Sequence, residues 1–404
     1  MAAILNESGT LVPPPRVQLQ SPTAFLPLWG WAALIGFLLL ATALVPLLAL
    51  ALPQGSSLHL SQYWVGLSGK ILCYAMVALA MDLVWGYAGI LSLGHGLFFA
   101  LGGYAMGMYL NRAMNAASGN LPDFMQFMQW THFPWYWVGT EHFAWALFLA
   151  VAAPGLLAFV FGFFAFRSRI KGVYFSIITQ ALTYAAMLLF FRNETGFGGN
   201  NGLTDFKVLL GFPMGTAGMT VSLFVASSVT LVGMFLFSRW LVRSKFGRVL
   251  TAVRDAESRV MFCGYNPLWF KLGVWTVSAM MCGIAGALYA PQVGIINPSE
   301  MSTSNSIEIA IWTAIGGRGT LIGPIVGAVL VNVAKSWLTV SIPQVWLYLL
   351  GGLFIVVTLY APYGIVGLFK QWRAPRAEQR PARPPRGTRK LGAALRFLGR
   401  TRRG

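Results

Sequence analysis

The chain has 404 residues, of which 56% are hydrophobic and only 10% are charged, and its mean hydropathy is +0.65. A soluble protein needs far more charge on its surface, so this composition excludes a soluble class and leaves an integral membrane protein. The net charge of +18 is unevenly placed, because residues 370–404 hold twelve Lys or Arg and one Glu. A basic segment after apolar spans indicates a cytoplasmic location and attraction to membrane lipid, and it argues against a nucleic-acid partner.

Apolar segments of about 20 residues recur along most of the chain, and each can cross a hydrocarbon layer of about 30 Å. They predict an all-α, polytopic membrane protein with about ten transmembrane segments and with helices interrupted by glycine. One predicted span is short, at residues 305–317. The others cover residues 25–52, 62–85, 88–110, 143–166, 173–191, 219–240, 268–290, 321–340 and 345–369.

These spans divide the chain into three regions. A polar N-terminal segment covers residues 1–24. A transmembrane domain covers residues 25–369 and includes a cytoplasmic loop at about 241–267. Residues 370–404 form the basic tail, whose Pro- and Arg-rich composition predicts disorder.

Basic residues in the short connections predict the orientation, because Lys and Arg resist translocation. One basic connection contains Arg167, Arg169 and Lys171, and a second, at residues 239–259, contains six basic residues. Both should face the cytoplasm. The connection at residues 192–218 has no net charge and should face outside, so that both termini lie in the cytoplasm.

The earlier outside connection, residues 111–142, contains the aromatic stretch THFPWYWVG. Aromatic rings are typical of the membrane–water interface, but an amphipathic loop helix fits the same residues. Both interpretations stay open at this stage.

Patterns typical of enzymes or metal sites are missing from the sequence. Cys73, Cys263 and Cys282 form no CxxC pair, the four histidines form no HExxH motif, and no GxxxxGK[ST] phosphate-binding loop occurs. We therefore expect no catalytic residue, no metal and no cofactor in this chain. Any ATP that the protein uses must be hydrolysed by another chain.

Two stretches at membrane depth are broken by glycine: GYAGILSLGHG at residues 86–96 and GGRGTLIGPIVGA at residues 316–328. Irregular backbone survives in a membrane only where protein or a water-lined cavity satisfies its polar groups, so broken helices indicate a transport pathway. Close helix packing is the alternative, and it is the one we favour for Gly102, Gly103 and Gly107. The pathway candidates from these motifs are Gly89, Ser92, Gly94, His95, Gly317 and Gly319.

Ionisable side chains also fall at membrane depth, where facing lipid is costly. Lys70 and Asp82 are twelve residues apart on one predicted helix, too far to pair directly. Glu308 is a further pathway candidate. It and Arg318 flank the short span, where a buried pair between different helices is one arrangement. For Lys70 and Lys335 we expect either snorkelling to the interface or a structural partner.

The cytoplasmic loop after residue 240 is long enough for one or two short helices. Leu250, Val253, Val260 and Met261 can form an apolar stripe beside charged faces, which suits docking to another protein. A helix that rests on lipid headgroups is the alternative.

The sequence contains four distinctive blocks: GYAGILSLGHGLFFALGGY, SKFGRVLTAVRDAESRVMFCGY, VWTVSAMMCGIAGALYAPQVGIINP and GGRGTLIGPIVGA. Together they resemble one family, the permease subunits of bacterial ABC importers for branched-chain amino acids and urea. The stretches FFRNETGFGGNNGLTDF, RDAESRVMFCGYNP and PQVGIINPSEMSTSNSIEIAIW most resemble the urea-type permeases of the larger-subunit class.

The resemblance implies a permease in the bacterial inner membrane that acts with several partners. These are a second homologous permease subunit, two ATPase subunits, and a periplasmic binding protein that delivers the small-molecule substrate. The resemblance also implies that a segment of the cytoplasmic loop couples the permease to an ATPase. That segment contains Arg254, Asp255, Ala256, Glu257 and Gly264.

Urea is the substrate that this resemblance implies, and a neutral molecule rich in donors and acceptors needs polar groups along its path. Asn200 and Asn201 suit that role, although an ordinary Asn/Gly turn fits them equally well. A permease for branched-chain amino acids is the alternative within the family, and a stand-alone urea channel is a second alternative.

Overall fold

The computed structural model describes residues 25–341, apart from residues 54, 55, 57, 116–120 and 171. It also describes scattered residues between 345 and 367. The predicted N-terminal segment, most of the last predicted span and the basic tail lie outside the described residues. The helices are α1 Leu28–Leu39, α2 Gln62–Asp82, α3 His95–Asn115, α4 Asp123–Phe127, α5 Phe143–Arg167, α6 Val173–Phe191, α7 Ala217–Arg243, α8 Lys245–Phe262, α9 Pro267–Val293, α10 Thr303–Gly316 and α11 Ile322–Ser341.

The all-α, polytopic prediction is confirmed. Seven helical stretches in the described part of the chain are long and apolar enough to cross a membrane. They are Leu28–Ala51, where α1 continues through two π-helical stretches, Gln62–Tyr87, α5, α6, α7, α9 and α11. Helix α10 has 14 residues, as short as the sequence predicts.

Most residues of helix α3 are buried, and the helix begins later than predicted, at His95 rather than at residue 88. It packs chiefly against α9 and α5, while α9 also contacts α2, α7 and α8. A Cβ atom on Gly102 would lie 1.9 Å from the carbonyl oxygen of Gly283, and one on Gly286 would lie 1.8 Å from that of Phe99. Only glycine permits these backbones to approach so closely, which confirms the packing interpretation for this part of α3.

The outer helices expose apolar side chains to the surroundings. Only 11% of the most apolar stretch of Leu28–Ala51 is buried inside the chain, against 78% for Gln62–Tyr87. Residues such as Leu28, Phe164 and Tyr174 are more than half exposed, and contact of such large side chains with water would be unfavourable. This distribution is typical of a protein whose periphery contacts lipid or a partner subunit.

The two connections that the sequence assigns to the outside pack on one another. The Trp137 indole N–H donates to the carbonyl of Gly196 at 3.0 Å, and the Tyr136 hydroxyl donates to that of Thr195 at 2.7 Å. Burial raises the pKa of Tyr136, so this hydroxyl keeps its proton and remains a donor. The ring of Phe197 stacks on Tyr136. The aromatic stretch therefore serves packing within the protein, and the only helical turn there is a 3-10 turn over Trp135–Trp137.

Short strands close the same face of the described structure. Strand β1, Leu203–Thr204, pairs antiparallel with β4, Ile295–Ile296, and Leu203 lies opposite Ile296. Strand β2, Val208–Leu209, pairs with β3, Phe212–Pro213. The first pair ties the connection after α6 to the connection after α9.

Candidate translocation and coupling site

The first glycine motif interrupts the chain between α2 and α3. Helix α2 ends at Asp82, a π-helical stretch covers Leu83–Tyr87, and the backbone is then irregular until α3 begins at His95. Gly89 has a φ of +72°, a left-handed conformation that favours glycine. The predicted break is therefore present.

The second glycine motif separates α10 from α11 in the same way. Gly317 and Gly319 have φ values of +116° and +73°, and α11 begins only at Ile322. These positive φ values explain why glycine recurs in this motif, since other side chains rarely adopt them.

The two breaks meet at the carboxylate of Asp82. This fully buried side chain accepts hydrogen bonds from the backbone N–H of Gly319 at 2.6 Å and of Leu321 at 3.0 Å. A Cβ atom on Gly86 would lie 2.5 Å from the nitrogen of Gly319, so the backbones are also in close contact. Asp82 thus satisfies backbone groups that the break leaves without helical partners.

Three of the predicted pathway residues, Ser92, Gly94 and His95, are held by hydrogen bonds within the protein. The Ser92 hydroxyl accepts a hydrogen bond from the N–H of Gly94 at 3.1 Å. The Nε2 atom of His95 lies 2.9 Å from the hydroxyl oxygen of Ser278, which donates in turn to the carbonyl of Ala80. Ser92 and His95 are both buried. The structure therefore brings Gly319 to Asp82, places Gly89 against Arg254, and places Ser92, Gly94 and His95 against α6 and α9.

The predicted coupling segment forms α8 and the turn after it. The helix departs from helical geometry at Ala256, where φ is −155° and ψ is 73°, and it ends before Gly264, whose φ is +84°. Leu250, Val253 and Val260 are buried, as an apolar stripe requires, whereas Met261 is 49% exposed. The stripe prediction is therefore correct for three residues and wrong for Met261.

Two side chains of α8 connect it to the membrane domain. The Arg254 guanidinium donates to the carbonyl of Gly86 at 2.6 Å and also contacts Asp255. A Cβ atom on Gly89 would lie 2.7 Å from Cγ of Arg254. Glu257 forms an ion pair with Lys271 of α9 at 2.7 Å. Arg254 therefore rests directly on the first glycine motif, one helical turn from Asp82.

Sequence reasoning missed the most exposed apolar residue of this region. Phe262, the last residue of α8, is 92% exposed, and Tyr265 and Trp269 nearby are each at least half exposed. A large apolar side chain among the charged residues of this loop was the available signal.

A second polar group lies at a different level of the membrane domain. Lys335 of α11 donates to both carboxylate oxygens of Glu308 of α10, at 2.9 and 2.8 Å. The guanidinium of Arg318 instead lies over the ring of Trp85, at 4.7 Å. The buried pair between different helices is therefore present, and it joins Glu308 of α10 to Lys335 of α11, whereas Arg318 lies against the stretch that follows α2.

Asn200 and Asn201 lie apart from these groups. They belong to a 3-10 turn, Gly199–Asn201, between glycines of positive φ, as an Asn/Gly turn would have. They line a cavity of about 560 Å³ beside Asp123 and Asp205. The structure does not bring them to the glycine motifs.

Broken helices that meet inside an apolar bundle, beside an amphipathic helix that carries basic residues, are typical of a membrane transport protein. Residues 63–358 match the family described as "Branched-chain amino acid transport system / permease component", and the chain belongs to this family. Members are permease components of ABC transport systems and are not themselves enzymes. Among the described residues, no group of three or more His, Cys, Asp or Glu could hold a metal ion.

Several curated relatives are similar over most of the chain. The "High-affinity branched-chain amino acid transport system permease protein LivM" of Salmonella typhimurium is 24% identical over 75% of this chain and 69% of its own length. The protein of the same name in Escherichia coli is 25% identical over 80% and 74%. The "Probable branched-chain amino acid transport permease protein LivM" of Methanocaldococcus jannaschii is 26% identical over 75% and 91%. No solved structure matches the chain. These relatives favour the amino-acid alternative over the urea prediction.

Proposed function

We propose that this chain is the permease subunit of an ABC importer for branched-chain amino acids. The match of residues 63–358 to the amino-acid permease family carries this proposal, and relatives named for these substrates support it. The chain provides a translocation path, and separate ATPase and substrate-binding proteins supply energy and substrate. Urea, the first substrate inferred from the sequence, has no support among these relatives.

The proposed mechanism is alternating access driven through α8. An ATPase can shift the permease between inward-open and outward-open states only if it holds α8 differently in each state. Arg254 touches the glycine motif at Gly86, and Asp82 joins that motif to Gly319. A displacement of α8 therefore acts on both helix breaks at once, and exposed Phe262 offers an apolar anchor for the ATPase.

The remaining assignments belong to the same proposal. The importer lies in the bacterial inner membrane with both termini of this chain in the cytoplasm. It contains a second, homologous permease subunit and two ATPase subunits, and a periplasmic binding protein delivers substrate. The basic tail contacts anionic lipid.

Uptake in source cells tests the proposal. Labelled leucine and labelled urea are supplied to cells with and without this chain, with all native partners present. We expect deletion to abolish chain-dependent leucine uptake, to leave urea uptake unchanged, and to be reversed by the wild-type chain. Loss of urea uptake alone would restore the urea assignment. Uptake that persists when the partner ATPases are inactive would indicate a stand-alone channel.

A further inference from the structure

We propose that the cavity between α2, α10 and α11 is a binding site for the zwitterionic head group of an amino acid during translocation. The site contains Tyr74, Glu300, Asn305, Glu308, Trp312 and Lys335, with Lys70 beside it. This inference rests on the proposed function and adds to it the residues that hold the substrate.

The charges of this cavity match a zwitterion. Glu308 and Lys335 form a two-point ion pair at its wall. Glu300 accepts hydrogen bonds from the Tyr289 hydroxyl at 2.9 Å and from the Asn305 amide at 3.3 Å, and it interacts electrostatically with Lys70. Two carboxylates and the ammonium group of Lys335 therefore line one small space, and the ammonium group of Lys70 lies nearby, over the ring of Tyr74. Carboxylates suit the ammonium group of an amino acid, and lysines suit its carboxylate.

Trp312 supplies the observation that points to a ligand. Its side chain lines the cavity and is 97% buried, since only 3% of the residue is exposed. Its indole N–H has no hydrogen-bond partner among the described residues. A buried donor without a partner is costly, and an incoming carboxylate would satisfy it.

The position of the cavity suits a substrate site that α8 controls. Lys70 and Asp82 are separated by twelve residues of α2, or about 18 Å along the helix axis. Helix α10 carries Glu308 near its start and leads into Gly317 at its end. The head-group site and the glycine breaks thus occupy two levels of the same helices, so movement at the breaks can open or close the cavity.

The described conformation is a closed one. The cavity measures about 20 Å³, which is room for about one water molecule. An amino acid enters only when α10 and α11 separate, and the ammonium and carboxylate of the substrate then replace the contact between Glu308 and Lys335. A neutral substrate could not replace these charges, and separating the pair for it would be costly.

The test uses the complete importer in proteoliposomes with its binding protein, and it measures uptake of labelled leucine. The double variant Glu308→Gln with Lys335→Gln keeps a hydrogen-bonded pair of similar size and removes both charges, so neither charge is left unpaired. We expect the maximal uptake rate to fall about tenfold or more, because charged hydrogen bonds are roughly twice as strong as neutral ones. The concentration of loaded binding protein that gives half-maximal uptake should not change.

Thr339→Ala is the matched control on α11, since Thr339 is exposed one turn from Lys335, and it should transport leucine normally. If the double variant fails to assemble, Trp312→Phe keeps an aromatic ring, although a smaller one, and removes the N–H donor, so it should lower uptake about threefold to tenfold, as one hydrogen bond would. Normal leucine uptake by either variant would overturn the head-group site alone. If the unmodified importer carries no leucine, the proposed function is wrong, and the head-group site that rests on it is wrong too.

Discussion

Asp82 shows how one side chain can make an irregular backbone tolerable inside a membrane. An aspartate at this depth is costly unless its charge is satisfied, and here the backbone N–H groups of Gly319 and Leu321 point at its two oxygens. The same contacts satisfy backbone N–H donors of the break before α11, which have no helical partners. The carboxylate and the break therefore stabilise one another.

Replacing Asp82 should destabilise the protein strongly. Asp82→Ala leaves two buried donors unpaired, at about 1–3 kcal/mol each. Asp82→Asn retains one acceptor oxygen and should cost less. Thermal unfolding of the purified protein, followed by tryptophan fluorescence, measures both. The exposed Asp123 is the control, because Asp123→Ala should change stability by less than ~1 kcal/mol. Equal unfolding temperatures for Asp82→Ala and the wild type would refute the role of Asp82.

At the scale of elements, α3 and α9 pack closely through glycine residues. A Gly→Ala substitution should therefore lower stability at this contact and raise it at an exposed helix position. Gly102→Ala places a methyl group 1.9 Å from the Gly283 carbonyl oxygen, so one helix must move. Overpacking of this kind costs about 1–3 kcal/mol or more. Gly233→Ala in α7 meets no atom within 4 Å and should stabilise the helix by up to ~1 kcal/mol. Comparing the unfolding temperatures of the two variants checks the prediction, and similar temperatures would contradict it.

Helix α8 should transmit movement through the ion pair of Glu257 with Lys271. Glu257→Lys places two cations together at a half-buried position, while the helices themselves stay in the membrane. We expect normal insertion and a fall in ATP-driven uptake of about tenfold or more, since ~1.4 kcal/mol of lost interaction changes an equilibrium tenfold. The double variant Glu257→Lys with Lys271→Glu restores an ion pair of reversed polarity and should recover part of the uptake. Normal uptake by the single variant would refute the coupling role.

At the scale of the whole molecule, the native cysteines report the orientation in the membrane. Cys263 is exposed at the end of α8, whereas Cys73 and Cys282 are buried. A membrane-impermeant maleimide should therefore label washed inside-out vesicles and leave right-side-out vesicles unlabelled. Cys263→Ser should abolish the signal. Labelling of right-side-out vesicles would place α8 outside and reverse the proposed orientation.

Composition and periodicity alone predicted a large part of the fold. Long apolar segments must become helices in lipid, because no other open structure satisfies its own backbone there. Glycine at membrane depth predicted both breaks, and the long charged loop after residue 240 predicted a helix at α8. These properties depend on residues close together in the sequence.

The contacts between helices needed the tertiary structure. The sequence placed Asp82, Glu308, Arg318 and Lys335 at membrane depth, but it did not show that Asp82 joins the two glycine motifs. It also did not show that Glu308 pairs with Lys335 rather than with Arg318. The substrate inferred from local motifs was urea, whereas similarity over residues 63–358 favours amino acids.

The sequence by itself determined that this protein is a helical membrane protein with broken helices and a separate basic helix at α8. Only the tertiary structure decided which of its buried charges meet. The reason is physical: the hydrophobic effect and backbone hydrogen bonding act on each segment locally, whereas pairing depends on how each helix is rotated against its neighbours.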